Sequence, residues 1–293
     1  MTKVGMAGIG LMGHGIASNI VKHGHALTVL EHAGNQPLDD LKAAGAATVR
    51  DGAALAASAD VIILCVTGSP QVEAVLMGAG GVLEGLRPGT VVIDCSTAIP
   101  SSTLKVAEAV QARGGRFLDA PMTRTPKEAA EGRLNLLVGG DAAAFEEIRP
   151  LLAAFAENIT HVGPVGAGHR MKLLHNYVSL GLIALIAEAA ACAKGDGIDP
   201  AVFSEVLSKG GGGGVALERI KPYLIDGDPS SLRFFMSNAR KDLDYYNTMA
   251  AESGAVRDIG AAVLATYEQA VEQGGPDRYV PELAGLLGER RKH

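Results

Sequence analysis

The chain has 293 residues and a mass of 30.1 kDa, enough for a sizeable core and, at about 150 residues per domain, most simply two domains. Its 26 Lys and Arg against 32 Asp and Glu leave a formal charge of −6, with no Trp and only 4% aromatic residues. This argues against a nucleic-acid binder, which needs clustered cations or stacking platforms, and a hydrophobic share of 47% excludes wholesale disorder.

The first 140 residues alternate two patterns. β-rich runs at 3–7, 27–30, 61–66, 90–94, 116–119 and 134–138 are separated by helical patterns such as 12–23, 70–77 and 100–113. Apolar strands joined by helices predict a parallel sheet covered on both faces. Ligands of such sheets bind beyond the carboxyl ends of the strands, so the residues just after each run are the informative ones. Gly163-Pro164-Val165-Gly166-Ala167-Gly168 then breaks the pattern. Beyond it the chain reads as all-α, with helices at about 169–194, 200–208, 215–225, 231–252 and 256–273. Five glycines at 210–214 form a loop, and Arg290-Arg291-Lys292 reads as a solvated basic end.

Cys65, Cys95 and Cys192 form neither a CxxC pair nor a metal spacing. Cys65 and Cys95 end apolar runs and are expected to be buried, inert thiols in a reducing compartment. The N-terminus lacks a signal-peptide pattern. The longest apolar run, 178–193, is interrupted by Glu188 and is shorter than the about 20 residues of a membrane span. The expectation is a soluble, cytoplasmic protein with no metal.

Gly8-Ile9-Gly10-Leu11-Met12-Gly13 is a GxGxxG turn directly after the first strand. With 38 glycines, that spacing arises by chance about 0.6 times in such a chain. Its place between a strand and a helix is what gives it weight. Glycines let a pyrophosphate approach the backbone, and the helix start offers free N–H groups. Glu31 follows the second strand, where a carboxylate accepts from ribose hydroxyls and repels a 2′-phosphate. His32-Ala33-Gly34-Asn35-Gln36 contains no Lys or Arg to hold that phosphate, so NAD is favoured, with NADP possible.

On the first helix after the break, Lys172, Asn176 and Ser179 fall within about 60° of one another, with His175 at the margin. Polar groups on an otherwise apolar helix need a partner or a ligand. Lys172 can exchange a proton with a substrate oxygen, and Asn176 can fix that oxygen by hydrogen bonding. After the strand 116–119, Thr123, Arg124 and Thr125 lie between Pro121 and Pro126. A guanidinium flanked by hydroxyls suits a carboxylate, sulfonate or phosphate. The alternative is Arg124 paired with Asp119 or Glu128 on the surface.

Taken together, these motifs resemble the β-hydroxyacid dehydrogenase family. The resemblance rests on Gly8–Gly13, Asp94-Cys95-Ser96-Thr97, Asp119-Ala120-Pro121, the GxGxxxKxxxN pattern from Gly166 to Asn176, and Lys241-Asp242-Leu243. It implies a Rossmann-type doubly wound α/β domain over 1–163 and an all-α domain over 164–293, joined by a long helix at about 166–194. It implies homodimers or homotetramers. Cofactor contacts would come from Gly8, Gly10, Leu11, Met12, Gly13, Glu31, Val66, Thr67, Ser96, Thr97 and Lys241. Lys172 would be the catalytic acid and base, and Asn176 would orient the substrate.

Two departures bear on the substrate. The family's V-S-G-G loop is replaced by Met122-Thr123-Arg124-Thr125, which resembles the 3-sulfolactaldehyde reductase branch, as does Asn176-Tyr177-x-Ser179. That likeness implies Thr123, Arg124, Thr125 and Ser179 around the anionic end of a small acidic aldehyde. His175 stands where an Asn is usual. A carboxylate semialdehyde is the alternative substrate, and a non-catalytic dinucleotide-binding regulator the alternative class. Lys172 argues against an imine reductase.

Overall fold

The computed structural model describes residues 1–290, so Arg291 and Lys292 of the basic end lie outside the described residues. The strands are β1 Lys3–Ala7, β2 Ala26–Leu30, β3 Ala47–Val49, β4 Val61–Leu64, β5 Val91–Asp94, β6 Arg116–Asp119, β7 Met122–Thr123, β8 Leu134–Gly140 and β9 Ala156–Gly163. They form one sheet in the order β3-β2-β1-β4-β5-β6-β8-β7, with β9 also paired to β8. The first six run parallel. β8 runs antiparallel to β6 and β7, so the sheet is parallel with a reversed edge.

Both faces are covered, as uninterrupted apolar strands require. Alternate residues of β4 and β5 point to opposite sides. Val61, Ile63, Val91 and Ile93 pack with Ile16, Ile20 and Phe145, while Ile62, Leu64 and Val92 pack with Leu55, Val72, Leu76 and Val106. The pairs Ala7 with Leu64, Leu64 with Asp94, and Asp94 with Asp119 put four strand ends level with one another. The order reverses between β1 and β4, which is where such folds bind ligands.

Three strands lie outside the expected set. β3 has only three residues, and β7, anticipated as loop, has two. β9 has one buried residue, Ala156, and carries no apolar run to betray it.

The chain divides into two compact units, Met1–Lys172 and a second beginning at Leu173. The long helix, Ala167–Gly195, contains the division. It has the length and apolarity to cross a membrane, more than the 178–193 run suggests. Here Leu180, Ile183, Ala184 and Ala187 instead enter the second unit's core with Leu217, Met236, Leu243 and Tyr267. The helix stops as expected, with Gly197 left-handed and the Ile198 N–H returning to the Ala193 carbonyl.

Helices Pro200–Ser208, Val215–Asp226, Met236–Glu252, Asp258–Gly274 and Leu283–Glu289 complete the unit. The expected helix over 231–252 is broken at its start. Ser230–Leu232 is a 3-10 turn, and Phe235 forms a bridge to Tyr279 with their rings stacked at 5.1 Å.

Candidate active site

The glycine turn has the form expected of a phosphate cradle. Gly8 has φ +94°, and a Cβ there would lie 2.3 Å from the Cys65 carbonyl oxygen. A Cβ on Gly13 would lie 2.0 Å from the Gly8 carbonyl oxygen, so the helix start must sit tightly on the strand end. A Cβ on Gly10 would meet nothing within 4 Å. Gly10 caps the helix Leu11–Lys22 without a side chain, and the first turn holds no acidic residue. Leu11 is exposed and Met12 half-buried beside these open amides. An anionic pyrophosphate fits this turn by shape and by charge.

Glu31 follows β2 and forms ion pairs with Lys42 at 3.6 Å and Arg50 at 3.7 Å. A hydrogen bond from Thr48, together with those two cations, holds its carboxyl below the usual range. An open depression of about 470 Å³ is lined here by Glu31, His32, Asn35, Gln36 and Arg50 among others. Residues 32–36 supply no cation. β3 lies beside β2 and carries Arg50 to the site, while Lys42 comes from the helix Asp39–Ala43.

Beyond β4 and β5 the expected cofactor segments are tied together. The Ser96 hydroxyl oxygen accepts from the Val66 N–H at 3.0 Å, and the Ser96 N–H donates to Asp94 Oδ1 at 2.9 Å. Val66 and Thr97 are half-buried and Thr67 is exposed. Cys95 is buried, and Cys65 is half-buried. Desolvation and the Asp94 carboxyl push the Cys65 thiol up to about 12, so it is inert.

Asp119, at the end of β6, accepts from the backbone N–H groups of Gly166 at 2.7 Å and His169 at 2.8 Å. It thereby caps the long helix from 47 residues away in sequence. His169 was not among the expected site residues. Two acids ending adjacent strands, and a histidine on an apolar helix, were the signal for it.

Thr123 sits on β7, and its hydroxyl oxygen accepts from Asn135. Arg124 has φ +83°. Its guanidinium donates to the Arg133 carbonyl and pairs with Glu157 of β9 at 2.5 Å, rather than with Asp119 or Glu128. Thr125 caps the helix Pro126–Ala130, its hydroxyl donating to Glu128 at 2.5 Å. The three residues are adjacent, but both Arg124 and Thr125 already have acidic partners.

Lys172, Asn176 and Ser179 lie on the uninterrupted helix Ala167–Gly195, so their helical spacing holds. Lys172 and Ser179 are half-buried. Asn176 is buried; its Nδ2 donates to Asp242 at 2.6 Å and its Oδ1 faces His175 Nδ1 at 3.0 Å. Asp242 also pairs with Lys241 at 2.9 Å, and that ammonium lies 5.1 Å from the Tyr245 ring centroid. Asp242 was named only as part of a motif; its contact with Asn176 comes from a helix 66 residues away.

Comparison with known families bears on this arrangement. Residues 3–163 match the NAD binding domain of 6-phosphogluconate dehydrogenase, and 166–287 match the NAD-binding region of NADP-dependent 3-hydroxyisobutyrate dehydrogenase. The chain belongs to the 3-hydroxyisobutyrate dehydrogenase-like family of β-hydroxyacid dehydrogenases. It is an NAD(P)-dependent oxidoreductase acting on CH–OH groups.

An NAD-dependent L-serine dehydrogenase of Pseudomonas aeruginosa is 34% identical over 284 residues, 95% of each chain. The 3-sulfolactaldehyde reductase of Escherichia coli is 33% identical over 92% of this chain and 90% of its own. Among solved structures, Mycobacterium tuberculosis 3-hydroxyisobutyrate dehydrogenase with L-serine superposes with a TM-score of 0.88 at 27% identity, covering 98% of this chain and 99% of its own.

Proposed function

We propose that this enzyme interconverts a small acidic aldehyde and its β-hydroxyacid, with Lys172 as general acid and base and Asn176 orienting the reacting oxygen. One observation carries the reading. Lys172 precedes by one helical turn a buried Asn176 whose amide is fixed by Asp242. When bound, the nicotinamide ring supplies or accepts the hydride. In reduction, the Lys172 ammonium gives a proton to the substrate oxygen. In oxidation, the neutral amine takes the hydroxyl proton. Asn176 restricts the oxygen to one position, which supplies part of the rate by orientation alone.

Gly8, Gly10, Leu11, Met12 and Gly13 would hold the pyrophosphate and Glu31 the adenosine ribose. Val66, Thr67, Ser96, Thr97 and Lys241 would line the rest of the dinucleotide. We favour NAD, with NADP admitted by Lys42 and Arg50. The relatives' names supply the substrate class: serine, 3-sulfolactaldehyde and 3-hydroxyisobutyrate are small acids.

The Thr123-Arg124-Thr125 sequence and Ser179 support a sulfonate such as 3-sulfolactaldehyde. The Arg124–Glu157 pair favours a second reading, a carboxylate substrate held elsewhere. Three free thiols suit the cytoplasm. The exposed row Leu174, Val178, Leu182 and Leu185 supports a homodimer or homotetramer.

The test is a panel of sulfonate and carboxylate semialdehydes and hydroxyacids, followed by nicotinamide absorbance with NADH and with NADPH. Turnover of an acidic member is expected. Cofactor binding without turnover of any acid would overturn the reading.

A further inference from the structure

We propose that His169 is a positioning residue for the nicotinamide half of the cofactor, its imidazole locking the Ser96–Thr97 turn onto the first turn of the helix that carries Lys172. The inference rests on the cofactor placement proposed above.

The imidazole is fully buried. Nε2 lies 3.1 Å from the Ser96 carbonyl oxygen, which can only accept, so Nε2 carries the hydrogen. Nδ1 lies 2.8 Å from the Thr103 hydroxyl, which itself lies 3.1 Å from the Ile99 carbonyl. The carboxylates of Asp94 and Asp119 flank the ring at 3.8 Å, one facing each nitrogen. At that distance they act through space and leave both ring nitrogens to Ser96 and Thr103. Asp94 Oδ2 has no hydrogen-bond partner among the described residues, and the ring is 3.8 Å from it.

Ser96 is held through all three of its polar backbone and side-chain oxygens and nitrogens. Its N–H is taken by Asp94, its hydroxyl oxygen by Val66 and its carbonyl by His169. These bonds fix the path of the turn, and with it the placing of Ser96 and of the half-buried Thr97 beside it. On the helix side, Asp119 holds the His169 N–H. There is no slack in this joint: a Cβ on Gly168 would lie 2.3 Å from the Leu137 carbonyl oxygen. One side chain thus couples the ends of β4, β5 and β6 to the start of the long helix. The glycine turn and Glu31 take no part in it.

That separation makes the inference testable by binding. The probes are NADH, followed by its own fluorescence, and ADP, followed by calorimetry, on wild type, His169→Leu and His169→Gln. Leu fills the space without a donor; Gln restores an N–H to the Ser96 carbonyl. The expected result is about 10-fold weaker NADH binding by His169→Leu with ADP binding within about 2-fold of wild type, and recovery of most of the loss in His169→Gln.

Unchanged NADH affinity in His169→Leu would overturn the proposal. So would an equal loss for both ligands, or Gln performing no better than Leu. Should His169→Leu not fold, Thr103→Val keeps the ring and removes its Nδ1 partner. It is expected to weaken NADH about 3-fold and leave ADP unchanged, and equal NADH binding there overturns the proposal. Failure of the wild-type chain to bind NADH at all would instead reject the cofactor placement.

Discussion

Asn176 and Asp242 are joined by a 2.6 Å hydrogen bond between two buried side chains. The carboxylate fixes which way the amide points, and it pairs with Lys241 through its other oxygen. Asp242→Ala removes both contacts. Hydrogen bonds to charged groups contribute about 1.5–3 kcal/mol, so kcat is expected to fall about 10- to 100-fold and Tm to drop. Steady-state kinetics with a thermal melt check this. Wild-type kcat in a folded Asp242→Ala would remove the orienting role.

The Arg124–Glu157 pair sets up a competition. A substrate anion that uses Arg124 must displace a carboxylate already there. Arg124→Ala is then expected to raise KM for the acidic substrate about 10-fold or more, and Glu157→Gln to lower it. Kinetics of both variants decide the matter. Unchanged KM in both places the anion away from this loop, as the second reading has it.

The cations beside Glu31 bear on cofactor choice. Glu31→Ala removes the group that repels a 2′-phosphate and leaves Lys42 and Arg50 in place. The NADPH to NADH ratio of kcat/KM is expected to rise about 5- to 10-fold, and Arg50→Ala to lower it by a similar factor, as screened exposed charges allow. A ratio indifferent to both changes would mean that the adenosine ribose lies elsewhere.

Much of the candidate site lies at strand ends, which the apolar runs of the chain mark out. Gly8, Glu31, Ser96 and Asp119 each follow or close an apolar run, and one register aligns three of those runs. What escaped depends on partners far off in sequence. Arg50 reaches Glu31 only through the β2–β3 pairing, and Glu157 reaches Arg124 only because β9 joins the sheet edge. β9 itself is half exposed and has no apolar run, and period alone cannot find such a strand. His169 is one polar residue on an apolar helix; its meaning lies in two acids that close other strands. The break before Met236 comes from a bridge to Tyr279, which no local pattern encodes.

Burial raises the Asp94 carboxyl above its ordinary value of 3.8, with His169 opposing the rise. The folded chain therefore binds that proton more tightly than the unfolded chain. Its contribution to stability is present below the unfolded value and is lost as pH climbs through the raised folded value. Asp94→Asn, neutral throughout, lacks this loss. The Tm of the variant relative to wild type should increase with pH across that window and then level off. Melts at a series of pH values test it; a constant offset would contradict the assignment.

The central claim is that Lys172 moves the proton. The direct measurement is kcat of Lys172→Ala on the preferred acidic substrate, taken together with the NADH dissociation constant of the same protein. Loss of a general acid and base predicts a fall in kcat of about 10²- to 10⁴-fold, with NADH affinity within about 3-fold of wild type. A kcat within a few-fold of wild type would contradict the account.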